Sequence, residues 1–204
     1  MIYLNNLIDI DLQKSPQLIQ NLTNLTELEL FSYSYLRLTH FLCSISKFCN
    51  HLHKLVFRGN MIINLVTDKY VAIREANQVA SLIKLQHNLI HLELFDINEE
   101  DIWKVIMESI IETQSNSLEV LIFNNVTICS KMILFHLKSL QNLKELRFNE
   151  CIFRTNPLAN QSKNSWEGLR LPKLESLEID FTEETREDSK ELTSILLGSF
   201  PLKN

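Results

Sequence analysis

A right-handed α/β solenoid, with a parallel sheet on its concave face and helices on its convex face, is the fold class that three observations predict. A short phrase recurs six times: a leucine, two variable residues, a leucine, one variable residue and a third apolar residue. Its copies are Leu25-Leu28-Leu30, Leu52-Leu55-Phe57, Leu89-Leu92-Leu94, Leu118-Leu121-Phe123, Leu143-Leu146-Phe148 and Leu174-Leu177-Ile179. The steps between successive first leucines are 27, 37, 29, 25 and 31 residues, a fixed-period signal with two insertions. The intervals between phrases carry amphipathic helical patterns, which supply the crossovers that parallel neighbours require. With 204 residues the chain holds about six or seven such irregular coils, read as one domain over residues 1–204.

Taken in order, residues 1–24 form an atypical N-terminal coil, with Leu7, Ile10 and Leu12 in an irregular strand and a short helix from Pro16 to Leu22. Terminal coils deviate because only one side of them is stacked. Within each phrase the second and third apolar residues point one way and the residues between them the other, the period-two signature of a strand. Helices are expected at about 35–49, 71–86, from Asn98 onward, 130–141 and 183–197. In the second, Ala76, Val79, Ala80 and Ile83 share a face. In the third, Asn98 caps the first turn, Glu99, Glu100 and Asp101 suit its positive end, and Ile102, Val105, Ile106 and Ile110 form the buried stripe. Residues 155–172 read as a loop that Trp166 plugs, being rich in Asn, Pro, Ser and Gly. Residues 183–204 are a C-terminal capping helix and tail, with Thr182 as its cap, Leu192, Ile195 and Leu196 facing inward, and Gly198 ending it.

Composition excludes several functions. The chain is 45% apolar and 22% charged, which is ordinary for a folded domain. Asp plus Glu number 25 against 20 for Lys plus Arg, a net charge of -5 and the wrong sign for gripping phosphates, so no nucleic-acid partner is expected. No apolar run approaches the roughly 18 residues that span a bilayer, and the opening residues carry no secretory pattern. Cys43, Cys49, Cys129 and Cys151 lack paired spacing and sit beside apolar residues, as reduced buried thiols do. A cytoplasmic or nuclear monomer without membrane contact is the expectation.

Catalysis has no local signature. Gly59, Gly168 and Gly198 are too scattered for a phosphate loop, and no nucleophile elbow is present. Cys49, His51 and His53, with His40 and Cys43 upstream, straddle a helix end and a strand, which gives no shared set of ligands for zinc. No enzyme, cofactor or metal is therefore expected. The stretch from Glu175 to Glu191 holds eight acids, suited to a solvated cap over the open end of the sheet. Binding is the better-supported activity, because the third, fifth and seventh residues of the phrases form rows on the concave face. Phe31, Val56, Phe95, Val120 and Ile122 in those rows make an apolar cluster, with Arg58, His91 and Arg147 among them. These eight are the candidate partner-binding residues. An opposing reading tucks Phe31 and Phe95 into the core, and pairs Lys54, Arg58 and Arg147 with Glu29, Glu93 and Glu145 across strands.

The phrases resemble the leucine-rich repeat. Asn60 and Cys151 stand three residues after the third apolar position, where that repeat carries Asn or Cys; Tyr33, Ile97, Val126 and Thr182 replace it elsewhere, which predicts looser, uneven coils. Segments such as Leu140 to Leu146 and Leu171 to Leu177 are similar to the C-terminal repeats of F-box/leucine-rich-repeat proteins, over residues 7–198. The resemblance implies a protein-interaction module, the substrate-recognition part of an SCF-type ubiquitin ligase, whose F-box binds the ligase adaptor. No F-box-like segment is seen before the first phrase. The alternatives are a free-standing leucine-rich-repeat scaffold, or a nonfunctional fragment of such a family with no ligase role.

Overall fold

All six leucine phrases form strands, and the strands lie beside one another in chain order. The computed structural model describes residues 16–31, 42, 45–59, 66–154, 169–181 and 193–198. Along the chain come α1 (Pro16–Thr23), β1 (Glu27–Phe31), β2 (Lys54–Arg58), α2 (Val66–Lys84), β3 (His91–Phe95), α3 (Glu100–Gln114), β4 (Val120–Asn124), β5 (Thr127–Cys129), α4 (Ser130–Leu137), β6 (Glu145–Arg154) and β7 (Ser176–Phe181). Residues 193–198 are also helical. The fold is α/β around a parallel sheet in which β1, β2, β3, β4, β6 and β7 are successive neighbours and β5 pairs with the far half of β6.

Register follows the phrases. Leu28, Leu55, Leu92, Leu121, Leu146 and Leu177 align across the sheet, as do Leu30, Phe57, Leu94, Phe123, Phe148 and Ile179. Through β6 the residues of both columns are buried, with Phe123 and Phe148 stacked at 5.3 Å between ring centroids. Leu177 and Ile179 on the last strand are only partly buried against them. The first leucines Leu52, Leu89, Leu118 and Leu143 are fully buried beneath the turns entering the strands. Removing that much apolar area from water is the main favourable term in folding.

The helices close this side of the sheet. Ala76, Val79, Ala80 and Ile83 of α2 are buried as their spacing predicts, but the helix starts at Val66 rather than near residue 71. The expected cap on α3 is corrected: Glu99 occupies the cap position and makes no side-chain cap bond. Its buried stripe is also wider than expected, with Trp103 and Met107 joining Ile102, Ile106 and Ile110 while Val105 is only half-buried. The helix packs against neighbours on two sides and needs more than one apolar row. The helix predicted for 130–141 ends at Leu137, and Gly198 is still helical rather than the residue that ends the last helix. Leu7, Ile10, Leu12, Asn60, Trp166, Thr182 and Leu192 lie outside the described residues, as do most of 35–49, 155–168 and the acidic stretch beyond Phe181.

At the described positions where Asn or Cys is expected and Ile97 or Val126 stands instead, neighbouring strands keep one register. Ile97, Val126 and Cys151, which share that position, are all buried, so apolar packing holds the turn. The residue that follows the phrase, Asp96, Asn125 or Glu150, takes a positive φ of 56°, 51° or 53°. Asn125 also donates through Nδ2 to Asp96 Oδ1 at 2.9 Å. A register shift occurs only on the β7 side of β6, between Phe148 and Cys151.

Candidate functional site

The sheet face away from the leucine columns is the candidate site, and strand alternation places three rows of side chains on it. One row runs Glu27, Lys54, His91, Val120, Glu145 and Ser176; the next runs Glu29, Val56, Glu93, Ile122, Arg147 and Glu178. The third runs Phe31, Arg58, Phe95, Asn124 and Asn149. Most of these residues are partly exposed, whereas their neighbours along each strand through β6 are buried.

Charge on this face is largely paired internally. Arg58 Nε donates to Glu29 Oε1 at 2.6 Å, and the guanidinium lies over the Phe95 ring at 3.7 Å and the Phe31 ring at 5.5 Å. Its row neighbours on the adjacent strands are those two aromatics, so the stack follows from register. Glu93 accepts from His91 at 2.7 Å and pairs with Lys54 at 2.6 Å. The bond from His91 and the Lys54 charge hold the Glu93 carboxyl at about 2, against the opposing effect of partial burial. Arg147 stands between Glu145 at 2.5 Å from Nε and Glu178 at 3.2 Å from Nη1; the Nε approach is an ion pair without hydrogen-bond alignment.

The eight candidate residues therefore divide. Phe31 and Phe95 are half-buried and flank Arg58, rather than standing as free anchors or entering the leucine core. Val56 is buried among its neighbours, 6% exposed. Arg58, His91 and Arg147 hold carboxylates. Val120 and Ile122 remain as a half-exposed apolar patch between the Glu93 cluster on one side and the Arg147 cluster on the other. The apolar surface is thus smaller than the spacing alone implies.

Two sets of polar residues went unassigned in the sequence. Gln114 is fully buried: Nε2 donates to Ile83 O and Gln86 O, while Oε1 accepts from Leu89 N and Ser117 Oγ. Gln86 repeats the arrangement one phrase earlier, donating to Cys49 O and Leu82 O and accepting from Leu52 N. Their signal was a glutamine three or four residues before a first leucine, visible only once coils are superposed. Asn149 Nδ2 donates to Asn124 Oδ1 at 2.7 Å, and these two occupy the same position in successive phrases.

Other titratable groups are structural. Burial pushes the Cys49 thiol up to about 11 and the Cys151 thiol up to about 12, which leaves both poor nucleophiles and poor metal ligands. Cys49 faces the core while His51 and His53 are exposed, with His51 lying 5.8 Å from His87 between ring centroids. Among the described residues no group of three His, Cys, Asp or Glu side chains has metal-holding geometry, and no helix is long and apolar enough to cross a membrane. Compared with known protein families, curated proteins and solved structures, the chain matches none of them.

Proposed function

We propose that the chain is a protein-binding module of the leucine-rich-repeat type, a right-handed solenoid whose parallel sheet lines the concave side and whose helices form the convex side. The observation that carries this reading is the sheet face. It is uniform in register over β1 to β6 and keeps Val120 and Ile122 half-exposed at its centre, ringed by ordered charge. An apolar patch inside a polar rim is the common anatomy of a recognition surface. A face already held in one strand register needs less ordering on association. Similarity of the repeat phrases to F-box/leucine-rich-repeat proteins supports a finer reading, in which the bound protein is a substrate for ubiquitylation.

The test is capture from the protein's own cells, with the full chain beside a Val120→Ser, Ile122→Ser variant whose thermal midpoint shows that it folds. Proteins lost with the variant are the expected result. Copurification of a cullin-type ligase adaptor with both forms supports the ubiquitin-ligase role, and capture of those same proteins without the adaptor means a free-standing module. Identical captures with both forms reject the sheet face as the binding surface. The internal pairing of Lys54, Arg58 and Arg147 favours a second reading, a scaffold whose sheet is a structural wall, and that last outcome is the one it requires.

A further inference from the structure

We infer that the segment received by the Val120–Ile122 patch presents a large apolar side chain flanked by lysine or arginine; this rests on the sheet face being the binding surface. Every cation on the described face already holds a carboxylate: Lys54 holds Glu93, Arg58 holds Glu29, and Arg147 holds Glu145 and Glu178. Arg147 alone faces two acids, so that cluster keeps a net negative charge. Asp180 on the neighbouring strand adds an exposed carboxylate, and Glu178 keeps 55% of its side chain exposed. On the other flank Glu93 is already neutralised by Lys54 and bonded to His91, so the uncompensated carboxylates lie on the Arg147 side of the patch. The patch therefore offers an apolar seat with an acidic flank on its β6–β7 side, without a free cation among the described residues of its rows.

Charge sign then discriminates between occupants. A second copy of this face would bring carboxylates against carboxylates, and an acidic peptide or nucleic acid would meet the same repulsion. A basic–apolar segment gains on both counts: its apolar side chain covers Val120 and Ile122, and its cations share Glu178, Glu145 and Asp180. Because these carboxylates sit at a solvated rim, they govern association rate and selectivity, and salt weakens their effect.

Titration of the full chain with three capped nonapeptides tests this, reading backbone amide shifts. One peptide has a central Leu-Phe pair flanked by lysines; the second replaces the lysines with glutamates, and the third replaces Leu-Phe with serines. The expected result is saturable binding of the lysine peptide, with shifts at Val120, Ile122 and Glu178. Binding should be at least tenfold weaker for the other two peptides and for the lysine peptide on a Glu178→Lys, Asp180→Lys variant. Equal binding of the glutamate peptide, or an unchanged affinity of the variant, overturns the charge assignment. If cellular partners depend on Val120 and Ile122 yet the lysine peptide does not bind, the sheet face stands and the chemistry assigned to its occupant falls. If lysine-peptide binding ignores Val120→Ser, Ile122→Ser and cellular capture does too, both fall.

Discussion

Gln114 shows how a single residue joins two successive strand–helix segments. Its amide serves two carbonyls and one backbone N–H from inside the core, where no water replaces a lost partner. Gln114→Leu should therefore lower stability by about 2–4 kcal/mol despite keeping an apolar volume there; a urea titration followed by circular dichroism measures it. His136 makes the opposite case. It is 5% exposed with no hydrogen-bond partner at either ring nitrogen, packed edge-on to Trp103 at 6.0 Å. Burial lowers its affinity for a proton, Glu108 partly counters this, and Lys104 adds to it. The unfolded chain takes up that proton near the ordinary histidine value, so stability is full above about 6.5 and falls as pH drops toward the depressed folded value. His136→Phe should flatten this loss between about pH 6.5 and 5, as thermal midpoints across that range will show.

At the scale of elements, the alternation along one strand separates the buried core from the outer sheet face. Leu121 is fully buried in the leucine columns and Ile122, beside it, faces outward half-exposed. Leu121→Ala should cost about 3 kcal/mol because it leaves a cavity, whereas Ile122→Ala should cost about 1 kcal/mol or less; paired denaturation curves decide. The turns leaving the strands obey a second rule. Three of them place the residue after the phrase at positive φ, and two supply Asp96 and Asn125, side chains that tolerate it. The third supplies the exposed Glu150, so Glu150→Asn should stabilise the fold by about 0.5–1 kcal/mol, read from the thermal midpoint. The equivalent residue after β2 is Gly59, where a Cβ would approach Asp96 O to 2.7 Å; close packing of adjacent turns, rather than φ, keeps glycine there.

For the molecule as a whole, the acidic sheet face opposes self-association, and the full chain should sediment with the mass of a single copy from micromolar to 0.1 mM concentrations. A dimer that dissociates on Ile122→Ser would place the apolar patch between copies instead. The six phrase strands, their parallel order and the buried leucine columns were legible in the sequence, because alternation and a repeated phrase encode which side of each strand meets the core, whereas β5 and the extension of β6 to Arg154 were not. The helices were legible as elements but not at their ends: α3 lacks the Asn98 cap, and α2 begins five residues early. The face rows were legible too, yet the division of the apolar cluster was not. Phe31, Arg58 and Phe95 lie 27 and 37 residues apart in the chain, and become a stack only when register sets their strands side by side. The same holds for Gln86 and Gln114, whose partners belong to the preceding coil. The sequence by itself determined the six phrase strands, their inward faces and the parallel α/β class, since those follow from local periodicity. Tertiary structure alone decided that Gln86 and Gln114 serve backbone groups of an earlier segment and that Arg58 lies between Phe31 and Phe95 while Val120 and Ile122 stay half-exposed, since that depends on distances between segments that no local pattern contains.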